Sequence, residues 1–183
     1  MGSKNLSFLG GSRRRRIAQS RDNLYRVALA WCGDEMLADD LVQETIEAGI
    51  QKRQQLRDEN RLVPWLYSIL NNRWRQHLRS VKEHDGLDEQ MASNVAGPCA
   101  SVEELETVRQ VRNAVSLLNE KERQVISLVD LGELSYCEVA SILGIPVGTV
   151  MSRLHRARKN LLARLEAAAP LTGATRPAIR VVK

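Results

Sequence analysis

The sequence predicts an all-α protein: two small helical domains joined by a flexible linker, the second containing a helix-turn-helix. Three observations predict it. Apolar residues recur at helical spacing on both sides of the middle of the chain. The stretch between, from Glu83 to Ala100, breaks that period with Gly86, Ser93, Asn94, Gly97 and Pro98. Aromatic residues make up only 4% of the 183, so any core must be assembled from Leu, Val, Ile and Ala, a composition typical of packed helices.

Residues 1–20 read as a disordered basic tail ending in the run Arg13 to Arg16. Its apolar residues, Leu6, Phe8 and Leu9, are too few for a signal peptide, and no later run is long enough to span a bilayer. A cytoplasmic protein is expected. The first domain is expected over 21–83. Leu24, Ala28, Trp31 and Cys32 share a helical face, Gly33 stops that helix and Asp34 caps the next. The second helix aligns Leu37, Leu41, Thr45 and Gly49. A third starts near Pro64, a residue suited to a first turn, and runs through Leu66, Ile69, Leu70, Trp74, Leu78 and Val81.

The linker is expected over 84–100. The second domain, over 101–166, opens with a seam of Val102, Leu105, Val108, Val111, Val115 and Leu118. Asn119 with Glu122 resembles a capping box for a helix ending at Gly132. Ser135 with Glu138 makes a second box ahead of Val139, Ile142 and Leu143. Residues 167–183 read as a second disordered tail.

The balance of 27 Lys+Arg against 22 Asp+Glu fits a nucleic-acid partner without requiring one. The three cysteines, Cys32, Cys99 and Cys137, form no CxxC, and His77, His84 and His155 stand at no ligand spacing from them. Reduced thiols, no metal and no cofactor are expected. No Ser/His/Asp cluster or phosphate-cradling Gly loop points to an enzyme; Gly144 to Thr149 lacks the P-loop lysine.

The segment SYCEVASILGIPVGTVMSRLHRAR, Ser135 to Arg158, reads as a helix-turn-helix. Val150, Leu154, Ala157, Leu161 and Leu165 form one stripe of its second helix. Thr149, Ser152, Arg153 and Arg156 form another, turned roughly a quarter to a third of a circle away. Anchoring by one stripe while offering Arg, Ser and Thr on another suits the reading of base edges. Arg158, Lys159 and Arg164 would add attraction to phosphates. The plainer reading is a basic, solvated helix end complementing the helix dipole.

GIPVGTVMSRLHRARKNL, residues 144–161, resembles the recognition helix of the fourth conserved domain of sigma factors, especially the extracytoplasmic-function group. LADDLVQETIEAGI resembles that group's polymerase-binding helix, and WLYSILNNRWRQHLRS its promoter-melting helix. The matches fall in the family's order and cover roughly 22–82 and 101–165.

The resemblance implies a sigma factor that binds core RNA polymerase and directs initiation without catalysis of its own. Asp40, Gln43, Glu44 and Glu47, with Asp39 beside them, form an acidic stripe that would meet the clamp coiled coil of the largest subunit. Arg61, Trp65, Asn71, Asn72, Arg75, Gln76 and Arg79 would serve the minus-ten element, with the loop Leu56 to Val63 holding a flipped base. By spacing alone, Trp65 and Trp74 also read as core. Tyr136, Thr149, Met151, Ser152, Arg153, His155, Arg156 and Lys159 would serve the minus-thirty-five element.

The family further implies contact with the flap of the second-largest subunit, promoter DNA as duplex and as melted strand, and an anti-sigma factor. It also implies a linker, here carrying Glu83, Asp85, Asp88 and Glu89, that threads toward the polymerase active centre. Gln76 stands where the family usually has Asp, and Met151 where Lys or Arg is frequent, so promoter preference is open at both elements. The rival reading is a free-standing helix-turn-helix regulator, which would need a dimerisation seam or effector domain.

Overall fold

A computed structural model describes residues 13–56, 58–84 and 102–168, which are helical with short turns and contain no strand. The N-terminal unit comprises α1 (13–19), α2 (Arg21–Cys32), α3 (Glu35–Gln51) and α4 (Leu62–His84). Two 3-10 turns, Arg53–Gln55 and Glu59–Arg61, lie between α3 and α4.

The local signals act as expected. Gly33 ends α2 with φ 71° and donates its N–H to the Leu29 carbonyl. The Asp34 carboxylate accepts from the Leu37 N–H at 2.8 Å and caps α3. Thr45 is fully buried because its hydroxyl donates to the Leu41 carbonyl at 2.7 Å. Gly49 lets helices approach closely: a Cβ there would stand 2.9 Å from Leu66 Cδ2. Helix α4 begins at Leu62, so Pro64 stays inside the first turn, where no intrahelical N–H is required.

The expectation of disorder across 1–20 is corrected at its end. Residues 13–19 form α1, and Ile17 is wholly buried at the α3–α4 contact marked by Gly49. One apolar residue in a run of cations anchors the helix. Residues 1–12 lie outside the described residues.

The C-terminal unit comprises α5 (Val102–Ser116), α6 (Glu120–Ile126), a π turn (Ser127–Leu131), α7 (Tyr136–Leu143) and α8 (Val147–Ala168). Asn119 accepts from the Glu122 N–H, but the buried Glu122 carboxylate accepts from Asn160 of α8 instead of completing a box. The Ser135–Glu138 box closes in both directions. The expected α5 seam is only partly a core face. Val108 and Val111 are exposed, Ala114 and Leu118 are buried, and the side chains of Val102 and Leu105 lie outside the described residues. Helix α8 continues to Ala168, and the linker beyond His84 and residues 169–183 lie outside the described residues.

The two units share one hydrophobic core. Helix α4 packs on α7, while α2 packs on α5, α6 and the π turn. Gly132 makes room for Tyr67: a Cβ there would meet Tyr67 Cζ at 3.2 Å and Leu128 O at 2.7 Å.

Candidate polymerase and nucleic-acid interfaces

Helix α3 buries Ala38, Leu41, Val42, Thr45 and Ala48, which turns Asp39, Asp40, Gln43, Glu44 and Glu47 to solvent. Asp39 pairs with Arg21 at 2.6 Å, Gln43 donates to Glu47, and Glu44 lies 3.5 Å from Arg73 of α4. Apart from these surface pairs the face is anionic. Exposed ion pairs add little stability, so the stripe contributes little to the fold.

Helix α4 has three differently placed faces. Leu66, Tyr67, Leu70 and Trp74 are buried. Asn72, Arg75, Gln76 and Arg79 are exposed, and none of their side chains is engaged by another described residue. Asn71 points elsewhere: it is buried and donates to the Ile142 carbonyl of α7 at 3.0 Å. In this arrangement it faces the second unit and not solvent. Trp65 is half-buried against the Gly49 contact, and Trp74 is covered by stacking with His77 at 5.7 Å. The fully exposed α4 surface is therefore cationic and amide-bearing, with Trp65 only partly exposed.

Arg61 stands at the end of the second 3-10 turn, exposed, and Asp58 caps that turn through the Asn60 N–H at 2.9 Å. Arg13 and Arg16 of α1 converge on the same loop, a contribution that the reading of a disordered tail missed. Residue 57 lies outside the described residues.

In the C-terminal unit Gly144, at φ 68°, turns α7 into α8. Val150, Leu154 and Ala157 are buried. Ser152, Arg156, Met151, His155 and Lys159 are exposed, Thr149 and Arg153 half-exposed. Tyr136 is exposed at the start of α7. The two stripes are separated as the spacing predicts. Arg158 is paired within the protein. It forms a two-point ion pair with Asp130, at 2.6 Å from Nη2, which pushes its pKa up. That pair ties α8 to the π turn.

Burial pushes the Cys32 thiol up, and its Sγ donates to the Asp34 carbonyl, consistent with a protonated structural thiol. No group of His, Cys, Asp and Glu side chains among the described residues could hold a metal. No single described helix is long and apolar enough to cross a membrane.

The described residues thus present a helix-turn-helix on one unit and a separate exposed, cationic helix face on the other. The chain matches Sigma-70 region 2 over residues 17–83 and Sigma-70 region 4 over residues 108–161. It is 32% identical to the ECF RNA polymerase sigma factor EcfG of Rhodopseudomonas palustris over 147 residues, covering 78% of this chain and 79% of that protein. It is 30% identical to the ECF RNA polymerase sigma factor SigW of Bacillus subtilis, covering 79% and 84%. In fold it is similar to the sigma factor RpoE of Bartonella quintana in complex with the anti-sigma factor NepR, with a TM-score of 0.72, 24% identity and coverage of 85% and 97%. CnrH in complex with the cytosolic domain of CnrY gives a TM-score of 0.63 at 24% identity, covering 88% and 97%. The chain belongs to the extracytoplasmic-function sigma factors of the sigma-70 family, and directs promoter-specific transcription initiation.

Proposed function

We propose that the acidic face of α3 docks on the clamp coiled coil of the largest polymerase subunit. The exposed face of α4 and the loop before it capture the minus-ten element as single strand. Helix α8 reads the minus-thirty-five element in duplex, while its unit contacts the flap of the second-largest subunit. The protein needs no metal or cofactor for this and works in the cytoplasm beside the polymerase. An anti-sigma factor is its regulatory partner, by analogy with the Bartonella quintana sigma factor RpoE in its complex with NepR.

The observation that carries the reading is the second cationic surface. Asn72, Arg75, Gln76 and Arg79 face solvent on a helix remote in sequence from the helix-turn-helix. A regulator that reads duplex alone has no use for it, whereas a melted strand needs phosphate neutralisation and base capture. Asn71 joins that surface only when α7 moves off it.

Run-off transcription tests the assignment. Core polymerase supplemented with this chain is expected to yield transcripts from discrete promoters that core alone does not produce. Promoter binding without transcript, or repression of another holoenzyme, would support the free-standing regulator instead.

A further inference from the structure

Helix α1 is built into the first unit by Ile17 and carries two arginines onto the loop between α3 and α4. Arg13 Nη1 donates to the carbonyls of Arg53 at 2.8 Å and Leu56 at 3.4 Å. Its Nε and Nη2 both donate to Glu59 Oε1, at 3.3 and 3.0 Å. Arg16 grips the other oxygen, Glu59 Oε2, at 3.1 Å, and reaches the Glu59 carbonyl at 3.4 Å. The Arg13 side chain is only 20% exposed. One rigid guanidinium thus joins both 3-10 turns, satisfying carbonyls that no helix ladder reaches. Apart from buried Leu56, the described residues of the two turns have little core contact to hold their course. Asn60 and Arg61, its exposed polar tips, are placed by the backbone that Arg13 and Glu59 clamp.

We propose that Arg13, assisted by Arg16, is a positioning residue that sets how the turns Arg53–Gln55 and Glu59–Arg61 stand relative to each other, and thereby the choice of base at the minus-ten element. The proposal rests on the reading that this loop receives a flipped promoter base. Arg13 touches no DNA in this scheme and acts only through the loop. Arg14 and Arg15, exposed on the same helix, take no part in the clamp.

The test uses the full chain with core polymerase and promoters that vary one minus-ten base at a time, scoring open-complex stability. Arg13→Ala is expected to reduce base selectivity at one minus-ten position by about tenfold, the scale of one charge-assisted hydrogen bond. Affinity for core and selectivity at minus thirty-five should stay at the wild-type level, and Arg14→Ala should change nothing. Arg13→Lys should recover only part of the loss, because an ammonium cannot span both carbonyls and the carboxylate. Wild-type selectivity in Arg13→Ala, or equal loss at both promoter elements, overturns the proposal. If Arg13→Ala unfolds by circular dichroism, Glu59→Gln, which leaves the Ile17 anchor intact, carries the same expectation and the same refutation.

Asn60→Ala and Arg61→Ala separate the two layers. If they alter minus-ten selectivity while Arg13→Ala does not, the loop reading stands and the positioning role falls. If neither they nor Arg13→Ala alter it, both fall. If only Arg13→Ala alters it, Arg13 contacts DNA itself and is not a positioning residue.

Discussion

The side-chain amide of Asn71 donates a hydrogen bond to the backbone carbonyl of Ile142 at 3.0 Å, across the contact between α4 and α7. The carbonyl needs this donor for a reason visible in the chain. Its helical partner four residues on would be Pro146, which has no N–H. Asn71 supplies the missing donor from the other unit. Asn71→Ala would leave a buried carbonyl without that bond, weakening the contact by about 1–3 kcal/mol. Amide hydrogen exchange should quicken in α7 and in the facing part of α4, with overall helicity retained. Unchanged exchange in both helices would show that the bond does not hold the units together.

Tyr67 lies beside it, 1% exposed, with a hydroxyl that no group among the described residues satisfies. Burial pushes its pKa from the ordinary 10.0 to about 12. The raised value favours the neutral phenol in the fold. Its contribution to stability is therefore full below pH 10 and lost as pH climbs toward 12. Tyr67→Phe should remove this part of the alkaline loss and, by deleting an unpaired hydroxyl, raise stability at neutral pH by about 1 kcal/mol. Denaturant unfolding of both proteins across that alkaline range measures it. Parallel pH profiles would sever Tyr67 from the alkaline transition.

Reversing charge at Asp40 and Glu44 should weaken binding to core polymerase at least tenfold, on the scale of interfacial charge pairs of about 1.5 kcal/mol or more. Both side chains are exposed and Glu44 loses only a surface pair with Arg73, so folding should be spared. Core affinity by fluorescence anisotropy, with helicity as the control, decides it. Wild-type affinity in the reversed protein removes the acidic stripe as the docking surface.

On α8, Arg156→Ala should cost about 1–3 kcal/mol and relax preference at one promoter position. Lys159→Ala should weaken all sequences alike and lower the salt slope by about 1. Arg158→Ala should act differently from both, loosening α8 from Asp130 and lowering thermal stability, with little effect on the salt slope. Competition binding with holoenzyme over a series of salt concentrations distinguishes the three. Identical behaviour of Arg156→Ala and Lys159→Ala would deny Arg156 a base contact.

The helix-turn-helix was legible in the sequence because its signals are local. Ser135 and Glu138 bond to each other, Gly144 stands where the backbone turns left-handed, and Val150, Leu154 and Ala157 repeat at helical spacing. The acidic stripe of α3 and the cationic face of α4 were legible for the same reason. Asn71 was not. Beside Asn72 it reads as one more polar residue, and its partner stands 71 positions away. Helix α1 was also hidden, since a lone Ile17 among arginines has no periodicity, and its contacts, Gly49 and Glu59, come from later elements. The seam of α5 shows the converse: Val108 and Val111 keep a helical period, but no described element covers them.

Strand capture by α4 is the claim on which the functional account turns, and permanganate footprinting of the Asn72→Ala, Arg75→Ala double variant tests it most directly. Unstacking a base costs a few kcal/mol, which a promoter-melting protein must recover by holding the freed strand. Both residues are exposed, so folding and closed-complex formation with core should remain near wild type. Thymines near the minus-ten element should lose their permanganate reactivity on linear promoters, and a pre-melted bubble should restore much of the transcription. Wild-type reactivity and opening rate in the double variant would contradict the account.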